Sequence, residues 1–357
     1  MKIIHCSDIH LDSALGSNFS AAQAKERNAE LCATFARMVA FAVRQQVSAV
    51  LIAGDLFDSQ QVSAQTAHFV LEQIRGASAV TFFYIRGNHE ESRDAFFGMQ
   101  LPENLKTFGN SWKSVRCGHV VITAMEPEGS GWLDMYGQLE LRESDVNILM
   151  LHGQVSTQPG AEQIALPLLR GKHIRYLALG HLHSYQKERL DMDGEYCYCG
   201  CLEGRGFDEC GEKGFVLLET DDSGFTSRFV PFGSRTLHEV RVDITQLETV
   251  TQILSAMKQA SAHICDTDLV KFTLCGAYTL QTQKDLVFLQ KMLAPDFYHV
   301  RIKDESRLQI DPESYACDVS LKGEFVRLVL ASARSDEEKE KIISCGIRAL
   351  MGEEVTL

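Results

Sequence analysis

Short apolar runs, each closed by a glycine or a polar residue, recur through the first two thirds of the chain. "MKIIHCSD", "VSAVLIAGD" and "AVTFFYIRGNH" are too short for typical helices and rich in β-branched or aromatic residues, so they predict buried strands. Residues 20–46 predict a long helix between the first two, and 62–76 a shorter one before the third. Further strands are expected at "HVVITAM", "VNILMLHG", "IRYLALGH", "YCYCG" and "GFVLLET". Strand–helix alternation followed by a strand-rich half predicts a layered α/β domain of mixed sheets over 1–235. Around "FVPFGSRTLHEV" the pattern changes. "HEVRVDI", a helix at 246–262, "LVKFTLCGAY", a helix at 284–294 and "FYHVRI" predict a smaller α+β unit over 236–334. Residues 335–357 then predict an amphipathic helix and tail. Ser335 and Glu338 form an S-x-x-E capping box, Ile342, Ile343, Ile347, Leu350 and Met351 the apolar stripe, and Gly352 the stop.

Composition changes this picture little. At 45% apolar and 23% charged, the 357 residues are those of an ordinary globular protein of about two domains. The N-terminus lacks the apolar stretch of a signal peptide and no run approaches a membrane span, so the expectation is a cytoplasmic protein. A net charge of −13 argues against a surface coated in basic residues for gripping nucleic acid. It leaves room for a site whose positive charge comes from bound metal ions. The eleven cysteines are scattered and predict free thiols. Cys197, Cys199 and Cys201 alternate in "EYCYCGCLEG", with Cys210 further on, but this is not the C-x2–4-C spacing of a structural zinc site.

The strand ends carry the chemistry. "CSDIHLD" offers Asp8 and His10, "LIAGDLFDS" Asp55 and Asp58, and "YIRGNHEES" Asn88 and His89. "ILMLHGQ" offers His152, and "LALGHLHSY" His181 and His183. Residues at i and i+2 of an extended chain share a side, so both members of each such pair can face one spot. Singly, each is ordinary turn chemistry. Together, five strand ends deliver oxygen and imidazole donors where α/β sheets gather ligands. Asp, Asn and His without cysteine suit Mn²⁺, Fe²⁺ or Zn²⁺, and seven such donors exceed the needs of one ion. Two ions with open positions form a clamp for in-line phosphoryl hydrolysis.

These D-x-H, G-D-x-x-D, G-N-H-[DE], H and G-H-x-H blocks resemble those of the calcineurin-like metallophosphoesterases. "SDIHLDS", "AGDLFD", "GNHE", "GHLH", "GEKGF" and "GEFVRLVL" further resemble the bacterial DNA-repair exonucleases of the SbcD and YhaO type. The resemblance implies an α/β/β/α sandwich with a smaller α+β capping domain that limits which DNA shapes reach the metals. It implies two divalent ions, Mn²⁺ above all. Asp8, His10, Asp55 and His183 would hold one, and Asp55, Asn88, His152 and His181 the other. It also implies phosphodiester hydrolysis by a metal-bridging hydroxide, with His89 beside the scissile phosphate and Asp58 orienting from outside the ligand set. The chain departs from the pattern at Cys199 and Cys201, where relatives often carry Pro and Ser or Asn, and at Glu90, where Asp is commoner. It also ends soon after its last helix, which weakens the expectation of a partner-binding tail.

The expected partners are therefore DNA and an SMC-like ABC ATPase of the SbcC type, with homodimerisation open and no membrane. Alternatives are a metallophosphoesterase of nucleotides or other small phosphoesters, and a binding scaffold without catalysis. The phosphoprotein branch is disfavoured, since its usual arginine after the G-D block is absent from "GDLFDSQQ". A scaffold is disfavoured because every donor is present.

Overall fold

The computed structural model describes all residues except 17–18, 59–61, 91–94, 130, 222–223, 280–281, 310–314, 316–317 and 351–357, and the side chains of Ser344 and Arg348. The chain divides into two compact units, Met1–Leu237 and His238–Leu357.

In the first unit, β1 (Lys2–Cys6), α1 (Ala21–Arg44), β2 (Ala49–Ala53), α2 (Ala64–Gly76), β3 (Thr81–Ile85) and β4 (Leu105–Thr107) follow in order. Next come β5 (Lys113–Cys117), β6 (Val120–Ala124), α3 (Gly131–Gln138), β7 (Val146–His152), β8 (Gln154–Ser156) and β9 (Gln163–Ala165). The unit closes with α4 (Leu166–Leu169), β10 (Ile174–Gly180), β11 (Gln186–Arg189), β12 (Glu195–Tyr198), β13 (Gly214–Asp221) and β14 (Gly224–Pro231). Two six-stranded mixed sheets result, ordered β14-β13-β1-β2-β3-β4 and β11-β12-β10-β7-β6-β5. β1 to β4 run parallel, as do β6, β7, β10 and β12, while β5, β11, β13 and β14 pair antiparallel.

The sheets face each other over one core. Ile3, Leu51, Phe83 and Val216 of the first meet Ile122, Met150, Ala178 and Cys197 of the second. Every residue of β2 is buried, as expected of a strand covered on both faces. Outside the first sheet lie α1 and α2, with Phe35 against Phe69 and Phe41 against Phe215. Outside the second, Trp132, Met135 and Tyr136 of α3 and Leu169 of α4 cover Leu149, Leu151, Leu177 and Leu179. The layers are thus α/β/β/α. α1 opens on a capping box in which the Ser20 hydroxyl accepts from the Gln23 amide. The edge strand β14 escapes the hydrophobic pattern because all of its positions are exposed or half-exposed.

His5 of β1 spans the two sheets, its Nδ1 2.9 Å from the Tyr176 hydroxyl on β10. Burial pushes its pKa down to about 3, against a weaker upward pull from the Leu179 backbone. Between that value and the unfolded value of about 6.5, only the unfolded chain takes the proton, so stability falls as pH drops through this window. The slope from one such group is about 1.4 kcal/mol per pH unit. His5→Gln should therefore flatten the decline of melting temperature between pH 6.5 and 5; curves parallel to wild type would contradict this account.

In the second unit, β15 (Leu237–Asp243, which begins on the last residue of the first), α5 (Val250–Ala260), β16 (Leu269–Cys275), β17 (Ala277–Tyr278), α6 (Leu286–Leu293), β18 (His299–Asp304) and β19 (Arg307–Leu308) precede α7 (Leu321–Leu330) and α8 (Asp336–Leu350). Ile253 and Met257 of α5 and Leu289 and Leu293 of α6 pack on Val242, Val270, Phe272 and Leu274 of the β15-β16-β18 sheet. Ile343 and Ile347 of α8 are buried with Leu308 and Val326 in a second small core, so this half of the helix stripe serves its own unit. Leu350 is 42% exposed, and Met351 and Gly352 lie outside the described residues. No helix among the described residues is long and apolar enough to cross a membrane.

Candidate metal centre

The carboxyl ends of β1, β2 and β3 in one sheet and of β7 and β10 in the other deliver donors to one place. The loops after β1 and β2 are laced together: Asp8 N donates to Gly54 O at 3.0 Å, His10 N to Asp55 O at 3.0 Å, and Leu11 N to Leu56 O at 2.9 Å. This lacing holds Asp8, His10 and Asp55 at φ of 49°, 49° and 48°, and His181 after β10 sits at 108°. Left-handed backbone at non-glycine residues costs on the order of 1–3 kcal/mol each, and such strain clusters at functional sites. Two glycines let the sheets close over it. A Cβ on Gly180 would lie 1.9 Å from Ala53 O, and one on Gly54, at φ +92°, would lie 2.1 Å from His152 Nδ1.

The donors form two groups on either side of Asp55, and Asp8 lies within 4.8 Å of donors in both: His10 and His183 in one, His152 in the other. In the first, His10 Nε2 and His183 Nε2 are 3.2 Å apart, and Asp8 Oδ1 is 3.8 Å from His183 Nε2. In the second, His152 Nε2 is 3.0 Å from Asn88 Oδ1, which lies 3.4 Å from His181 Nδ1. Asp55 Oδ2 faces both, 3.8 Å from His10 Nε2 and 3.4 Å from His152 Nε2. Its other oxygen, Oδ1, accepts from the His89 amide at 3.1 Å. Burial opposes the Asp55 charge, but hydrogen bonding to His152 and the histidines around it hold its pKa down at about 2.

These residues fit metal ions. Two donors each about 2.1 Å from one ion, at about 90–110°, lie about 3.0–3.4 Å apart, the spacing of the closest pairs. The outer ring nitrogens also find partners. His152 Nδ1 donates to Ala53 O at 2.9 Å, which aims Nε2 at Asp55 and the site. Burial opposes its charge, but Asp55 raises the His152 pKa to about 9, and Nε2 is the nitrogen that would give up its proton to an ion. His183 Nδ1 lies 2.8 Å from Glu209 Oε1, and His10 Nδ1 lies 3.0 Å from Asp58 Oδ1. His10 Nε2 and His183 Nε2 face each other across 3.2 Å, placed where one cation could take a lone pair from each. Among the described residues, no cysteine belongs to a group placed to hold an ion.

Asp8, His10, Asp55, Asp58, Asn88, His89, His152, His181 and His183 all lie in this region. His89 is exposed on a 3₁₀ turn (Asn88–Glu90), with its ring 5.0 Å from that of His10. Its Nδ1 donates to the Asp58 carbonyl at 3.1 Å. The Asp58 carboxylate turns instead to His10, to Arg205 and to the Ser13 hydroxyl, which donates at 2.8 Å. Glu90 is buried and accepts from Phe57 N, Gly87 N and the Tyr84 hydroxyl, work for which its extra methylene gives reach. Burial raises its pKa to about 7, against the hydrogen bond from Tyr84. Cys197 and Cys199 belong to the core between the sheets, and burial pushes both thiols up, so they pack rather than ligate. Sequence reasoning missed Arg205 and Glu209. Both sit in the irregular stretch after β12, where no periodicity singles them out.

A metal site at the strand ends of an α/β/β/α sandwich is the setting of a phosphoesterase. The calcineurin-like phosphoesterase family model matches residues 1–185, and the chain belongs to that family of hydrolases, which work with a dinuclear metal centre. Among curated proteins it is similar to the metallophosphoesterase YhaO of Bacillus subtilis, at 25% identity over 72% of this chain and 67% of that protein. It is also similar to the DNA double-strand break repair protein Mre11 of Haloferax volcanii, 22% identical over 72% of this chain and 58% of the relative. The Mre11 of Methanosarcina acetivorans is 24% identical over 72% of this chain and 43% of its own length. The chain thus spans about half the length of these two archaeal relatives.

Proposed function

We propose that the chain is a two-metal phosphodiesterase that cleaves DNA, and that Asp8, His10, Asp55 and His183 hold one ion while Asp55, Asn88, His152 and His181 hold the other. The observation that carries this reading is Asp55 Oδ2, one carboxylate oxygen facing two separate histidine groups. Ions bound there would supply Lewis acidity toward phosphoryl oxygens and lower the pKa of water; the donor set suits Mn²⁺, Fe²⁺ or Zn²⁺, and the family resemblance favours Mn²⁺. The protein's own part is orientation. The Ala53 carbonyl, Asp58 and Glu209 fix the rings of His152, His10 and His183. His89, with Nδ1–H given to the Asp58 carbonyl, leaves Nε2 to steady charge on the phosphate or to exchange a proton with the leaving oxygen. The similarity to break-repair proteins supports DNA as the substrate, and the second unit is the part we assign to restricting which DNA shapes enter.

The net charge of −13 gives little long-range attraction for duplex, so DNA binding by the chain alone should be weak and salt-sensitive. A DNA-holding ATPase partner of the SMC type is accordingly part of the proposal. The deciding assay is digestion of end-labelled DNA by chelated protein with and without Mn²⁺. Mn²⁺-dependent shortening is expected, and its absence would defeat the DNA reading.

One observation favours a second reading, hydrolysis of nucleotides or other small phosphodiesters. A cavity of about 280 Å³ adjoins Asn88 and His152, walled by Trp132 and Met125 and rimmed by Glu126, Glu128 and Glu162. Arg86, paired to Glu126 at 2.6 Å and Glu128 at 3.4 Å, also lines it, and the rim as a whole still carries more acidic than basic groups, which suits an uncharged part of a small substrate better than a run of phosphates. Cleavage of small phosphodiesters with no action on DNA would select it.

A further inference from the structure

The two groups of donors are backed very differently. In the first, five side chains close a ring. His10 Nδ1 lies 3.0 Å from Asp58 Oδ1, to which Arg205 Nη1 donates at 2.5 Å. Arg205 Nη2 and Nε donate to Glu209 Oε1 at 2.8 and 3.1 Å, and the Arg205 amide donates to Glu209 Oε2 at 2.7 Å. Glu209 Oε1 lies 2.8 Å from His183 Nδ1, and His183 Nε2 returns to His10 Nε2 at 3.2 Å. One guanidinium therefore holds two carboxylates, each with an oxygen within 3.0 Å of one histidine of the same pair, and Arg205 Nη2 itself lies 3.4 Å from His183 Nδ1. In the second group, the outer nitrogen of His152 faces the neutral Ala53 carbonyl.

A carboxylate behind an imidazole fixes its ring and makes the far nitrogen a better donor, whereas a neutral carbonyl fixes it with less gain in basicity. The planar fork of arginine can engage both carboxylates at once, which a lysine ammonium does poorly. Glu209 is buried, and its charge is compensated by Arg205.

We propose that Arg205 and Glu209 are positioning residues that make the two metal positions unequal, so that the position held by Asp8, His10 and His183 takes its ion more tightly than the one held by Asn88, His152 and His181. Neither residue touches the ion. This inference rests on the two-metal reading above.

The test is calorimetric titration of the chelated full chain with Mn²⁺, alongside melting curves of the metal-free proteins. Wild type should bind two ions in two steps whose dissociation constants differ at least about tenfold. Glu209→Gln keeps the shape of the side chain and removes its charge, and Arg205→Lys keeps a charge and removes the fork. Each should weaken the tighter step by about 10–100-fold and leave the weaker step within about twofold. Wild-type isotherms from both folded variants would overturn the inference while leaving the two-metal reading intact, as would equal weakening of both steps. Fewer than two ions on wild type would overturn the two-metal reading and this inference with it. If Arg205→Lys does not fold, Glu209→Gln decides; if neither metal-free variant shows a cooperative melt, the ring is a folding element and the inference fails.

Discussion

Asp55→Asn is expected to strip the protein of both ions and lower hydrolysis of bis-p-nitrophenyl phosphate by about 10³-fold or more, beyond the ~10²–10³ lost with a single electrostatic stabiliser. The reason is the shared oxygen: Oδ2 lies 3.8 Å from His10 Nε2 and 3.4 Å from His152 Nε2, so loss of its charge is felt in both groups. His10→Ala removes a donor from one group only, and should empty mainly that position. Elemental analysis of the purified variants beside the rate measurement separates the two outcomes. Retention of two ions by Asp55→Asn, or full wild-type activity after exhaustive chelation, would sink the shared-carboxylate arrangement.

His89→Ala is expected to keep its metal content and lose activity by roughly 10²–10⁴, the range for one acid–base or charge-stabilising group. His89 is exposed, and its Nδ1 is committed to the Asp58 carbonyl at 3.1 Å. Its backbone amide, which donates to Asp55 Oδ1, is untouched by the substitution, so Asp55 stays in place. If metal analysis instead shows an ion lost from the variant, His89 belongs to the ligand set and its assigned role is wrong.

How much of this was legible beforehand follows from where each residue sits. Strands β1, β2, β3, β7 and β10 are buried nearly throughout, so continuous apolar runs betray them, and the polar residues just past each run stand out by contrast. The family blocks are local in sequence for the same reason. Arg205 and Glu209 are not. They lie in a glycine-rich loop, and what gives them meaning is the approach of Asp58, 147 residues from Arg205 in the chain, and of His183. Their i, i+4 opposite charges were the sole local hint, and such pairs usually decorate a solvated face. The strand β11 (Gln186–Arg189) was hidden by its exposure, since an open edge needs no apolar alternation. The stripe of α8 was readable as apolar, but only packing against Leu308 and Val326 shows what it covers.

The lacing between the loops after β1 and β2 has a consequence for how the protein acquires its ions. Asp8, His10 and Asp55 are held by main-chain hydrogen bonds that need no ion, so the unfavourable ordering of these loops is met during folding, not at the moment of capture. Uptake should then behave as entry into a rigid socket: fast, with little change in the protection of these amides against hydrogen exchange. A chain stripped of its ions could be reloaded, or loaded with a different divalent ion, without passing through an unfolded state. Which ion it carries would then follow the free-ion supply around it rather than the history of its synthesis.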